Sequence, residues 1–190
     1  PYLWMALGES QSKCEHLAGV PLRPAAAMRL HQLYLAKGIL ATAAIEGNTL
    51  SENEVERRIQ GKLQLPSSKE YLGKEIDNIL TATNEILDVV MKDGSRPITV
   101  EDIKRYNELI LKGLEVEPPT KAGEVRQHGV TVARYRGAPA EDCGYLLERL
   151  CQWLSSETFS APPGYEIVYG ILKAIMAHIY IAWIHPFGDG

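Results

Sequence analysis

The sequence predicts a mostly α-helical domain interrupted by one short β-hairpin. Three observations predict it. Apolar residues recur at three-to-four spacing through most of the 190 residues, a glycine-broken valine stretch between 123 and 137 changes period, and residues 166–184 form one unusually apolar helix-length segment. With 45% hydrophobic and 23% charged residues, the chain can bury a core without disulfide or metal staples, and its length suits one domain. The net charge of -4 comes from interspersed acids and bases, so no basic stripe offers direct nucleic-acid binding. Cys14, Cys143 and Cys151 are an odd set with no C-x-x-C spacing, which predicts reduced, mostly buried thiols and a cytoplasmic protein. The chain opens on Pro1 and is expected to be clipped at both ends.

In chain order, residues 1–24, with Trp4, Cys14 and His16, receive no assignment. Residues 25–46 place Met28, Leu30, Leu33, Leu35, Ile39, Leu40 and Ile45 at mostly helical spacing with alanine between, and Gly47 and Asn48 stop the helix. A short helix follows, capped at Ser51, because Ser51 and Glu54 have capping-box spacing. From Lys69, the residues Leu72, Ile76, Ile79, Leu80, Ile86, Leu87 and Val90 make an apolar face that Gly94 ends. Thr99 caps a helix through VEDIKRYNELILKGL.

GEVRQHGVTVARYRGAP then carries Val125, Val130 and Val132 between Gly123, Gly129 and Gly137, which is hairpin chemistry. It reads either as a surface loop of strand character or as an edge that captures an extended peptide by strand addition. AEDCGYLLERLCQWLSSE returns to helix, and APPGYE is a loop before the last one.

The last helix, EIVYGILKAIMAHIYIAWI, has the length of a membrane span, yet Lys173 and His178 inside it and the polar loop after it favour the central helix of a domain. Pro186 disfavours helix in the residue before it, so His185 is delivered at the carboxyl end of a rigid rod. His185 could bond the last carbonyls of its own helix. A metal shared with His178 is disfavoured, because seven helical residues separate their backbones by roughly 10 Å. A third option is general base, because an imidazole can take a proton from a hydroxyl. Asp189 offers a hard oxygen ligand suited to magnesium, and Gly188 and Gly190 permit backbone that aims amides at an anion. Base, metal ligand and anion nest together suggest attack on a phosphate. His16, His31 and His128 receive no role.

HPFGDG, residues 185–190, resembles the first six positions of the Fic motif, HPFx[DE]GNGRxxR, and AHIYIAWI resembles the helix that carries it. The resemblance implies a Fic-type helical bundle around a central apolar helix with a small β-hairpin flap, spanning about residues 25–190 and incomplete at its carboxyl end. It implies a protein adenylyltransferase that moves AMP from Mg-ATP to a Ser, Thr or Tyr hydroxyl of a target protein. His185 would be the base, Asp189 would hold Mg2+, Gly188 and Gly190 would shape the nucleotide loop, and Pro186 and Phe187 would be structural.

TAAIEG, with Thr42, Glu46 and Gly47, is similar to the [ST]xxxE[GN] inhibitory motif of the class with an N-terminal inhibitory helix. Glu46 also ends a helix, where a carboxylate opposes the dipole. GEVR, VTV and APAED resemble the Fic flap, so Gly123, Arg126, Val130 and Thr131 carry that likeness, with Val130 and Thr131 facing the target.

The resemblance also allows a homodimer and gives no membrane role. The motif's Asn and both arginines fall beyond residue 190, so the chain as given is expected to be inactive. AMP removal with Glu46 positioning water, transfer of another phosphate-containing group, and a catalytically silent peptide-binding module stand as alternatives.

Overall fold

The computed structural model describes residues 2–94, 96–132 and 134–190, so Pro1 and Ala133 of the expected flap lie outside the described residues. Among the described residues, seven α-helices and one two-stranded sheet fall into two compact units. One unit comprises Leu22–Arg96, Ile103–Glu124 and Asp189–Gly190. The other takes the chain up to Pro21, Pro97–Asp102 and Val125–Gly188.

The first of these units is built on α2 (Pro24–Ile45), α3 (Glu52–Ile59) and α4 (Glu70–Asp93). Pro24 opens α2, where its missing N–H is not needed. The helix ends in a Schellman motif: Asn48 N–H donates to Ala43 C=O at 3.0 Å and Gly47 N–H to Ala44 C=O at 3.2 Å, with Gly47 at φ +89. Asn48 is buried and fixes the turn that follows. Its Nδ2 donates to Leu72 C=O and to Glu75 Oε2 at 2.7 Å, and its Oδ1 accepts from Leu50 N–H.

The face of α2 that packs is Ala36, Ile39 and Ala43, against Leu50, Val55, Leu72 and Ile76. Met28, Leu30 and Ile45 are exposed, which corrects the broader apolar face expected from spacing. Small residues let the helices approach closely, and α3 and α4 cover only part of α2.

The Ser51 capping box is present in full, with Ser51 N–H on Glu54 Oε2 at 2.8 Å and Glu54 N–H on Ser51 Oγ at 3.4 Å. Arg58 binds α3 to α4 through Asp77 (2.7 Å) and Glu70 (3.0 Å); these carboxylates, Asp77 first, raise its guanidinium above the usual range. Along α4, Leu72, Ile76 and Ala82 are buried, whereas Ile86, Leu87 and Val90, expected on the same face, are exposed.

Helix α5 (Val100–Leu111) begins at the Thr99 cap, where Thr99 Oγ1 accepts from Asp102 N–H at 3.2 Å. It stops before the expected Leu114. Asn78 Nδ2 takes the free carbonyls of Ile110 (2.8 Å) and Lys112 (3.0 Å), and Gly113 turns the chain at φ +71.

In the other unit, α6 (Ala140–Leu154) buries Cys143, Leu147, Leu150, Cys151 and Leu154 along one face. It packs on α7 (Glu166–Ile184), as does α1 (Tyr2–Ala18), a helix within the segment that has no sequence-based assignment. Gln11 Oε1 of α1 accepts Val168 N–H at 3.3 Å, satisfying a donor in the first turn of α7. The burial expected along α7 is found only near its ends, at Val168 and Ile184, because α1, α6 and a 3-10 turn at Glu157–Phe159 leave much of its surface uncovered. Strands β1 (Thr131–Val132) and β2 (Tyr135–Arg136) pair antiparallel, Thr131 with Arg136 and Val132 with Tyr135.

Ile76 is fully buried in the core beneath α2, so Ile76→Ala should lower unfolding free energy by about 2–5 kcal/mol. Ser51→Ala should cost only about 1 kcal/mol. Urea unfolding followed by far-ultraviolet circular dichroism measures both.

Candidate functional site

His185 closes α7 in the left-handed region, at φ 48 and ψ 63, the only non-glycine residue with positive φ among those described. Such a conformation costs about 1–3 kcal/mol and needs surrounding structure to enforce it. The enforcement is visible. His185 N–H donates to Ile181 C=O at 2.7 Å, Pro186 and Phe187 are buried beyond it, and its carbonyl accepts Arg126 Nε at 2.6 Å.

Arg126 is itself buried, and its guanidinium is spent on main-chain oxygens. Nη1 donates to His128 C=O at 2.6 Å, and Nη2 donates to Ala138 C=O at 2.5 Å and Ile184 C=O at 3.3 Å. Its own backbone N–H donates to Pro186 C=O at 2.9 Å. A permanent cation thereby sits among the last carbonyls of α7, where the helix dipole favours positive charge. The same guanidinium closes the base of the hairpin. Gly137 has to be small there: a Cβ would lie 3.0 Å from Arg126 Nη2 and 3.1 Å from His185 Cβ.

Tyr135 Oη donates to Trp183 C=O at 2.5 Å, a second tie from the hairpin to the end of α7. Trp183 then leads into a ladder of edge-to-face rings, Trp183–Tyr180–Trp153–Phe159, at centroid spacings of 5.3, 5.2 and 5.0 Å. Beneath the last turn, Cys143 Sγ lies 3.5 Å from Pro139 C=O and 3.8 Å from Ile184 C=O. Burial pushes the Cys143 and Cys151 thiols up, overcoming the opposing pull of Arg126 on Cys143. Cys14 is exposed, which corrects the expectation of mostly buried thiols for that residue.

In the unit that contains α2, Asp189 and Gly190 meet α5. Asn107, buried, donates from Nδ2 to Asp189 C=O at 2.9 Å and accepts Gly123 N–H on Oδ1 at 2.9 Å. Gly190 takes φ +86, and a Cβ there would come within 2.7 Å of Asn107 Nδ2. The Asp189 carboxylate accepts Gly190 N–H at 2.9 Å, occupying an amide expected to face an anion.

A cavity of about 730 Å³ in this unit is lined by Glu46, Glu70, Glu75, Glu115 and Asp189, by Lys74 as its one base, and by an apolar floor that includes Ala43 and Leu111. Glu46 is the cap residue of α2, exposed, with its position set by the Schellman motif. Thr42 Oγ1 donates back to Gly38 C=O at 3.0 Å within the helix. No group of three or more metal-ligating side chains occurs among the described residues. A single exposed carboxylate such as Asp189 fits an ion carried mainly by a substrate's oxygens, as magnesium on phosphates is, rather than a protein cage.

Comparison with known proteins adds to this geometry. A family model described as the Fic/DOC family matches residues 97–190. Residues 97–190 are thus a Fic/DOC segment. The protein adenylyltransferase Fic of Drosophila ananassae is 28% identical over 187 residues, covering 94% of this chain and 34% of its own. The protein adenylyltransferase fic-1 of Caenorhabditis briggsae is 26% identical over 152 residues, covering 78% of this chain and 28% of its own. The chain thus spans about a third of the curated relatives it matches. A Fic family protein from Desulfovibrio desulfuricans G20 superposes with TM-score 0.72 at 25% identity, covering all of this chain and 52% of that one. Fic-1 of C. elegans gives 0.72 at 20% identity, a likeness of fold.

The residues singled out by sequence fall into two groups. His185, Pro186, Phe187, Val130 and Thr131 share one unit, where Gly137 N–H donates to Val130 C=O at 3.1 Å and Thr131 is exposed on the hairpin; Gly188 closes that segment in a bend. Glu46, Asp189 and Gly190 line the cavity of the other unit, while Thr42 and Gly47 shape the end of α2 beside Glu46. The sequence missed Asn107 and the inward course of Arg126. Glu124, two residues before Arg126, pairs with Lys121 instead, so nothing in the local sequence marks the arginine's turn onto main-chain acceptors.

Arg126→Met would leave the His185, His128 and Ala138 carbonyls without this donor, so a loss of about 3 kcal/mol or more in stability is expected by urea titration. Iodoacetamide at pH 8 should alkylate Cys14 in the folded protein and spare Cys143 and Cys151, whose raised pKa and burial keep them as protonated thiols; peptide mass analysis reads this directly. Above the ordinary thiol pKa, the unfolded chain releases those two protons first, so their contribution to stability falls as pH rises.

Proposed function

We propose that the protein is an adenylyltransferase that moves AMP from Mg-ATP to a Ser, Thr or Tyr hydroxyl of a target protein in the cytoplasm. The observation that carries this is His185, held by Arg126 in a strained conformation at the end of α7 and tied through that arginine to a hairpin. The names of the curated relatives support the reaction class, and Fic/DOC membership supports the role of the HPFGDG segment.

The imidazole takes the proton of the target hydroxyl as its oxygen bonds to the α-phosphorus, and the bond from that phosphorus to the bridging oxygen breaks to release pyrophosphate. Asp189 is the residue to hold magnesium, which when bound would neutralise phosphate charge. Asn107 keeps the Asp189 backbone in place, and Gly190 admits that close approach. The hairpin positions an extended target segment through Val130 and Thr131.

Glu46 restrains the nucleotide: it lines the same cavity as Asp189, and no ion pair compensates it among the described residues. That shared cavity equally supports a second reading, in which Glu46 positions water for AMP removal. The full-length protein with α-phosphate-labelled ATP, magnesium and cell extract separates the two. Glu46→Gly should increase label on protein if the glutamate restrains, and should abolish release of AMP from modified protein if it positions water. His185→Ala in the Glu46→Gly background should lower labelling by about 100-fold or more. Undiminished labelling in that double variant would remove His185 as the base.

A further inference from the structure

The hairpin differs in charge from the rest of the chain. The protein carries a net charge of -4, yet residues 125–140 contain no carboxylate and three arginines, Arg126, Arg134 and Arg136. Arg126 is buried on its carbonyls, whereas Arg134 in the turn and Arg136 on β2 are exposed, and no ion pair holds either of them among the described residues. Two unpaired guanidinium groups on a short hairpin leave a positive surface without an internal partner.

The backbone of this hairpin also has something to offer. Because Gly137 N–H donates to Val130 C=O, the alternation of an antiparallel ladder turns the main-chain groups of the next pair, Thr131 and Arg136, outward. Those groups form open edges of a sheet with only two strands among the described residues. On the opposite face, Val132 and Tyr135 are paired and remain 50% and 44% exposed. Tyr135 is fixed by its hydroxyl on Trp183, itself 55% exposed and backed by the ring ladder. Tyr and Trp held rigid and left open are what binding surfaces use for anchorage.

We propose that this hairpin selects an acidic, extended peptide segment: Asp or Glu side chains pair with Arg134 and Arg136, while an apolar side chain rests on Val132 and Tyr135. The inference rests on the reading of the protein as a transferase acting on a protein hydroxyl, and it names the class of segment presented. Charge complementarity commits the surface to this occupant, since a basic segment would meet two uncompensated arginines. The backbone edge supplies affinity without regard to sequence, and the arginines and the apolar pair supply the choice.

Synthetic extended peptides with one hydroxyl residue and flanks that are acidic, amide-neutral or basic test this by fluorescence anisotropy, with label transfer scored separately in the full-length protein. The acidic peptide should bind about tenfold more tightly than its Asn/Gln counterpart, and the gap should shrink as salt rises. Arg134→Glu with Arg136→Glu should reverse the order and favour the basic peptide. N-methylation of alternate peptide amides should weaken binding of every flank alike. Equal binding of the three flanks, or an order untouched by the double reversal, overturns the proposal. Charge-ordered binding with no label on any peptide would leave this inference standing and count against the transferase reading instead. Label transfer indifferent to flank charge would do the opposite.

Discussion

One buried guanidinium sets the geometry on which the catalytic reading depends. The carboxyl end of α7 presents carbonyls that no further helical turn satisfies, and the base of the hairpin presents others. Arg126 answers both sets with its fork of donors, and its backbone N–H takes Pro186 as well. A lysine could supply the charge but not five donors in a plane. The left-handed turn at His185 is affordable only because these partners over-determine it. Helix end, the His185 main chain and hairpin base therefore constitute one hydrogen-bonded assembly rather than three separately placed parts.

The unit holding α2 solves a related problem with neutral groups. Asn48 fixes the turn after Glu46, Asn78 takes the carbonyls at the end of α5, and Asn107 joins the Asp189 backbone to Gly123. Each amide is buried and uses both donor and acceptor capacity or two carbonyls at once, which avoids the desolvation of a charge. The cavity nearby is unlike these sites in charge. Five carboxylates against one lysine repel a polyphosphate, so any nucleotide held there depends on positive charge brought to the cavity. Glu46 contributes to that repulsion from a position its own helix end does not stabilise.

Local chemistry made much of the fold legible. The Ser51–Glu54 box, the Thr99 cap and the 166–184 span of α7 follow from residue types at fixed spacings, and all are found where those spacings put them. Burial was less legible. Ile86, Leu87 and Val90 have the right period but no helix over them, and α7 is apolar along far more of its length than its neighbours cover. Helix α1 escaped because its large apolar residues gather at Tyr2, Leu3, Trp4 and Met5 instead of recurring along a face. At the candidate site, the motif residues could be named from sequence, whereas Arg126 and Asn107 could not be assigned their tasks. Their partners are main-chain atoms, those on the 184–189 segment dozens of positions away, and main-chain atoms leave no mark in composition.

The ring ladder has an optical consequence. Two of the three tryptophans, Trp153 and Trp183, are coupled through Tyr180, and the carbonyl of Trp183 accepts the Tyr135 hydroxyl two positions before His185. Ultraviolet light absorbed anywhere along these edge-to-face rings reports from the end of α7, because energy passes readily between indoles and phenols so close together. The molecule carries an intrinsic chromophore at the one turn whose conformation matters most, and ordinary emission spectra can watch that turn without an added dye.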